Sequence, residues 1–220
     1  MKTRLEEQLY REYVAFFEKA ERERRWSVFE DIPWERINKA APDDLALAAE
    51  TLCSVEMYLL DGVSRDARPT SFGDARFRAN WAYEESKHSL ALGEYLMRSE
   101  KRTPEELFEL ERRVAEKNWH VPFTSARELA FWGYVQEMAT FVLYVKHRDM
   151  AARHGDEALR TVCDFIARDE IAHARYYQAT TRAHLAEDRE GTVSDMARVF
   201  ANFEMPGVGV APDYAKRVTK

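Results

Sequence analysis

Glu170 and His173 stand three residues apart in the stretch Phe165–Tyr177, which reads FIARDEIAHARYY. Three residues of α-helix turn the chain by about 300°, so both side chains leave one face from adjoining turns. The apolar neighbours Phe165, Ile166, Ile171 and Tyr177 mark that helix as packed. A carboxylate and an imidazole so placed can grip one divalent metal ion. The spacing alone also suits a solvated Glu beside a hydrogen-bonded surface His, and it recurs by chance. It gains weight by repetition, since Trp81–Leu90, WAYEESKHSL, sets Glu85 and His88 at the same interval.

Helices must carry both pairs, and the composition supplies them. Gly (8) and Pro (7) are sparse in 220 residues, while Ala, Glu, Arg and Leu abound, which favours long helices over strands. Thr3–Arg25 is amphipathic, with Leu5, Leu9, Tyr13, Phe16 and Phe17 opposite a charged face. Trp26 to Ala41, with Pro33, reads as irregular. Pro42-Asp43-Asp44 opens a helix that runs from Leu45 to about Leu60 and stops near Asp61-Gly62. After a loop through Pro69-Thr70-Ser71, Phe72–Arg98 is a long helix. Thr103-Pro104-Glu105-Glu106 is a capping box with proline at the first helical position, and its helix ends near Lys117. Ser125 and Glu128 form a second box and open an apolar helix to about Arg153. Gly155-Asp156 turns the chain into Ala158–Glu187, Gly191-Thr192 breaks that helix, and Thr192–Ala201 is a last short one. The tail, with Pro206, Gly207, Gly209 and Pro212, reads as a loop. No stretch alternates with period two.

Four of these helices (45–60, 72–98, 125–153 and 158–187) are long enough to make a bundle, and 103–117 supplies a crossover between its halves. The expectation is all-α: a ferritin-like four-helix bundle with a long crossover and additional flanking helices, as one domain over residues 1–220. A two-metal carboxylate site in such a bundle takes one Glu from each of two helices and Glu-x-x-His from each of the other two. Glu137 is the only acid in the middle of the apolar helix, and it precedes Glu170 by 33 residues. By symmetry the first half should hold a Glu at a like distance before Glu85. Glu50 lies 35 residues before it and Glu56 only 29, so spacing selects Glu50. Glu84, four before His88, is also allowed by helix geometry. Asp169 holds the equivalent place in the second half, and its shorter side chain favours an outer role for both, leaving Glu85 as ligand. An ionised Glu137 alone in an apolar helix would cost on the order of several kcal/mol. Two cations shared by four carboxylates and two imidazoles would offset that. Hard oxygen ligands with two imidazoles suit iron or manganese, and the spacing does not choose between them.

With these residues in place, the chain resembles the soluble, plant-type acyl-carrier-protein desaturases and their bacterial relatives, from about Trp26 to Pro206. The resemblance is carried by Glu50-Thr51-Leu52 leading to Leu60-Asp61-Gly62-Val63, and by Trp81 through Glu84-Glu85-Ser86-Lys87-His88. It continues in Gln136-Glu137-Met138-Ala139-Thr140-Phe141, in Ile166-Ala167-Arg168-Asp169-Glu170 to His173, and in Met205-Pro206. It implies that Glu50, Glu85, His88, Glu137, Glu170 and His173 hold a di-iron centre. It implies that Thr140 lies on the oxygen-binding side, the alternative being a hydroxyl bonded back to its own helix. It also implies an electron path through Trp26, Asp169 and His88, against simple packing for Trp26. The implied reaction is O2-dependent oxidation, chiefly desaturation, of an acyl chain on acyl carrier protein, with electrons from a ferredoxin-type donor, in a homodimer. Met138 stands where the family usually has Arg, Ser86-Lys87 replaces Asn-Arg, and Leu129-Ala130 replaces a Gly-Phe pair. These departures leave hydroxylation or N-oxygenation of another substrate as alternatives, with iron storage as a third.

The rest of the sequence narrows the classes. A net charge of -6 argues against a general nucleic-acid binder. Docking of an acidic carrier would need a local basic patch, for which Arg22, Arg24, Arg25, Lys146, Arg148 and Arg153 are candidates. The run Leu129–Val145 carries Gln136 and Glu137 at its middle, which reads as a buried helix and not a membrane span. Cys53 and Cys163, with no Cys-x-x-Cys, read as buried free thiols of a cytoplasmic protein. Gly133, four before Glu137, either leaves room beside the metals or lets two helices pack closely.

Overall fold

The computed structural model describes residues 4–58, 71–117 and 120–206, together with Tyr214 and Arg217. The expected segment Leu60–Val63, the turn at Pro69-Thr70 and the tail glycines lie outside the described residues. The helices are α1 Arg4–Lys19, α2 Asp43–Glu56, α3 Phe72–Arg98, α4 Pro104–Ala115, α5 Ala126–Arg153, α6 Glu157–Glu187 and α7 Arg189–Ala201. Among the described residues there is no strand.

Side-chain caps set the starts, because the first turn of a helix has no internal acceptors for its N–H groups. Ser71 accepts from the Asp74 amide at the head of α3. Both predicted capping boxes form, Thr103 with Glu106 and Ser125 with Glu128. Asp156 accepts from Leu159 to open α6. At the end of α5, Gly155 takes a φ of 66°, a conformation that costs a glycine little. The break after α6 falls at Asp188 and not at Gly191-Thr192. Asp188 caps α7 by accepting from the Gly191 amide. A Cβ at Gly191 would collide with that carboxylate. The N-terminal helix also differs from expectation, since α1 stops at Lys19 and a π-helical turn, Ala20–Arg24, continues it.

Helices α2 and α3 form one antiparallel hairpin and α5 and α6 the other. Contacts of α3 with α6 and of α2 with α5 close the four into a ring. The crossover helix α4 lies against α2, α1 covers α3 and α6, and α7 packs on α5 and α6. One apolar layer joins Leu45, Leu52, Leu92, Leu96, Tyr144 and Ile166. A second, aromatic layer holds Tyr13, Tyr58, Phe77, Trp81 and Tyr176. Full burial of each large apolar side chain is worth about 1.5–3 kcal/mol. Layers of this size let the bundle carry polar groups at its centre. No described helix is long and apolar enough to cross a membrane, as the Gln136-Glu137 interruption of α5 foretells. Both cysteines are free and buried.

Candidate metal centre

Two overlapping groups of buried ligand atoms sit inside the ring. Glu56, Glu85, His88 and Glu170 form one, and Glu85, Glu137, Glu170 and His173 the other, each with its ligand atoms within 4.8 Å of one another. Glu85 and Glu170 belong to both. His88 Nδ1 lies 3.2 Å from Glu170, 3.6 Å from Glu85 and 3.7 Å from Glu56. His173 Nδ1 lies 3.2 Å from Glu85 and 3.5 Å from Glu137. Five of the six expected ligands are therefore brought together: Glu85, His88, Glu137, Glu170 and His173.

Glu50 is not among them, which corrects the spacing argument. Its carboxylate pairs with Arg102 and lies 3.8 Å from Arg217, part-exposed. Glu56, 2% exposed, takes the place expected of Glu50. The two lie six residues apart, about 240° around the helix, so they cannot share a face. The symmetry failed because the two connections differ in length. Residues 154–156 suffice between α5 and α6, whereas α2 ends at Glu56 and α3 begins only at Phe72. Equal separations along the chain are then unequal heights in the bundle. A signal for Glu56 was present in the sequence, because Leu45, Ala49, Leu52 and Glu56 fall on one helical stripe, and all four are buried.

Each imidazole turns its other nitrogen outward. His88 Nε2 lies 3.3 Å from Asp169 and His173 Nε2 lies 2.8 Å from Glu84. The pairing crosses the halves, since Asp169 precedes Glu170 in α6 and Glu84 precedes Glu85 in α3. With Nε2–H donated to a carboxylate, the Nδ1 lone pair faces the cluster. Trp26 Nε1 donates to Asp169 at 2.8 Å, and its ring stacks on His88 with centroids 6.5 Å apart. Trp81 donates to Glu137 at 3.1 Å, and Tyr144, which the sequence reading did not single out, donates to Glu56. The Thr140 hydroxyl donates to the Gln136 carbonyl at 2.8 Å, the back-bonded alternative. Gly133 faces the Tyr177 ring, whose carbons would lie 2.8 Å from an added Cβ, so here it permits close packing of α5 on α6.

Glu85 Oε1, Glu137 Oε2, both oxygens of Glu170 and Nδ1 of both histidines are buried without any hydrogen-bond partner. Native interiors leave few such atoms, and these converge on one point. Burial, then the neighbouring Glu85 and Glu137, pushes the Glu170 carboxyl well above its ordinary range. Burial raises Glu56 to about 7. Burial works against Glu85 as an anion too, but His88 and His173 outweigh it and hold the carboxyl low. The histidines are correspondingly held well above their usual value, against burial, by Glu85 and Asp169 for His88 and by Glu137 and Glu84 for His173. The cluster thus calls for positive charge. Four carboxylates match two divalent cations in charge, and oxygen with imidazole is the donor set that iron and manganese accept.

Four of the six candidates for a basic patch are paired with acids. Arg24 is buried against Asp169 and Glu84, and Arg25 reaches Glu84 and Asn80. Arg22 pairs with Glu18, and Arg148 with Asp149 and Asp164. In each case the π turn or a nearby acid has claimed the cation.

The sequence pattern of the family described as fatty acid desaturase matches residues 50–217. The chain belongs to the fatty acid desaturase family. Within that family it is 30% identical over 152 residues to palmitoyl-[acyl-carrier-protein] 4-desaturase of Coriandrum sativum, covering 63% of this chain and 37% of that one. It is 30% identical over 183 residues to stearoyl-[acyl-carrier-protein] 9-desaturase of Ricinus communis, covering 73% and 44%. This desaturase-family chain therefore spans less than half the length of these curated relatives. Its fold matches the X-ray structure of DesA2 from Mycobacterium tuberculosis H37Rv with a TM-score of 0.67, at 19% identity, over 98% of this chain and 84% of that one.

Proposed function

We propose that this protein binds two ferrous ions through Glu56, Glu85, His88, Glu137, Glu170 and His173 and desaturates an acyl chain carried on acyl carrier protein. The observation that carries the reading is the convergence of unpartnered buried oxygens and imidazole nitrogens in two overlapping groups. The names of the curated relatives support the substrate class. When bound, the metal pair supplies dioxygen activation and the oxidising power to take hydrogen from an unactivated C–H bond.

The chain's own residues do the rest. Glu85 and Glu170, which belong to both groups, would hold both ions. Asp169 and Glu84 hold Nε2–H of each histidine so that Nδ1 stays a ligand. Trp81 fixes one oxygen of Glu137 and Tyr144 one oxygen of Glu56. The buried aromatic and aliphatic layers exclude water. Removing two hydrogens while reducing dioxygen to two waters takes two further electrons, for which a ferredoxin-type donor is the proposed source. Trp26, stacked on His88 and bonded to Asp169, is the proposed route inward, with Lys87 4.4 Å over its ring.

The test is anaerobic iron reconstitution, then oxygen and reductant with a panel of acyl carrier protein thioesters, read by mass spectrometry. Loss of two hydrogens is expected. Gain of oxygen would reassign the chemistry to hydroxylation, and unchanged acyl chains would reject desaturation for that panel.

A further inference from the structure

We infer that Arg24 is a positioning residue that couples the two halves of the centre, one guanidinium nitrogen fixing the outer carboxylates of both histidines at once. The inference rests on the metal-binding reading above. Arg24 Nη1 donates to Asp169 Oδ1 and lies 3.1 Å from Glu84 Oε1. Asp169 in turn holds His88, and Glu84 holds His173. One nitrogen of the π turn thus reaches both imidazoles, each through a single carboxylate.

Other groups reach only one side. Trp26 donates to Asp169 alone. Asn80 and Arg25 reach Glu84, and Arg25 is also drawn outward to Glu21. Asp169 and Glu84 present like charge on either side of that nitrogen. A cation between them removes the reason for either to swing away. Rotation of either carboxylate would release an Nε2–H and with it the ring that presents Nδ1. The backbone is built for the task. The π turn at Ala20–Arg24 ends on Arg24 and brings its side chain, 8% exposed, beneath the helix. The Phe16 ring lies 4.9 Å from the guanidinium carbon and fixes its plane.

Arg24 also lines an open cleft of about 360 Å³ between α1 and α6, with Phe16, Ile171 and Tyr176. Its Nη2 has no hydrogen-bond partner. The cleft gives a small planar cation a path to the position that an Arg24→Ala variant would vacate.

The experiment is cobalt(II) titration, followed by visible absorption, of wild type, Arg24→Ala, Asp169→Asn and Glu84→Gln, with circular dichroism to check the fold. Loss of an outer partner of a metal-bound histidine typically costs about 10–100-fold in affinity. Asp169→Asn should weaken one of two cobalt ions and Glu84→Gln the other. Arg24→Ala should weaken both together, about tenfold or more, and methylguanidinium should restore both. If Arg24→Ala loses helicity, Arg24→Lys carries the test, with a smaller weakening of both ions expected because a lysine cannot present the planar fork. Two ions bound with unchanged affinity, a loss confined to one ion, or indifference to methylguanidinium would overturn the inference. Failure of wild type to bind cobalt at all would overturn the metal reading itself.

Discussion

Glu56 and Glu50 separate at the scale of single residues. Glu56 is buried and held by Tyr144, whereas Glu50 faces Arg102. After anaerobic reconstitution, Glu56→Ala should retain no more than one iron per chain in a colorimetric assay, because one of the two groups loses a carboxylate. Glu50→Ala should retain two. Its ion pair is part-exposed, and such pairs contribute about 0–1 kcal/mol, so its thermal midpoint should move little. The reverse pattern would restore the spacing argument and sink the assignment of Glu56. Glu137 teaches a different lesson. Its identity as a buried acid was legible because an apolar helix has no other use for a carboxylate, but the Trp81 donor that steadies it lies on another helix.

At the scale of elements, the caps and the helix contacts carry separate predictions. Ser125 caps α5 half-buried, and its box partner Glu128 also receives Arg198 from α7. Thr103 caps α4 in the open. Loss of an N-cap typically costs about 0.5–2 kcal/mol. Ser125→Ala should fall at the upper end and Thr103→Ala at the lower. In a domain of this size each kcal/mol lowers Tm by about 2–4 °C in a calorimetric scan. A larger effect at Thr103 would show that α4 is not the more exposed element. Gly133→Ala puts a methyl into the Tyr177 ring and should cost about 1–3 kcal/mol by overpacking. Paired with Tyr177→Leu, the cost should shrink, and a double-mutant cycle measures the coupling. The starts of α4 and α5 were readable in advance for this reason, since a capping box is local. The end of α1 was not, because a π turn is selected by what Arg24 meets across the bundle.

For the whole molecule, the centre should link metal to folding. Four buried carboxylates and two imidazoles converge without a partner for six of their atoms, so cations that bind only the folded bundle stabilise it. At a free metal concentration one hundred times Kd, one site contributes about 2.7 kcal/mol. Chelation by EDTA should therefore lower Tm reversibly, and the metal-dependent increment should shrink in Glu56→Ala. A Tm indifferent to iron and to chelator would leave the cluster as a metal-free polar network.

The amino-acid order decided the class of this protein, because apolar period, capping residues and the scarcity of glycine and proline act within a few residues of one another. It also decided that two Glu-x-x-His pairs and one buried Glu would meet, since each is fixed on a helix face. Which acid on α2 joins them was settled only by the fold, through the unequal connections of the two hairpins. The roles of Arg24, Tyr144 and Trp81 were settled there too. A side chain's neighbours across a bundle depend on heights and crossings, which residue counts along one strand of sequence do not contain.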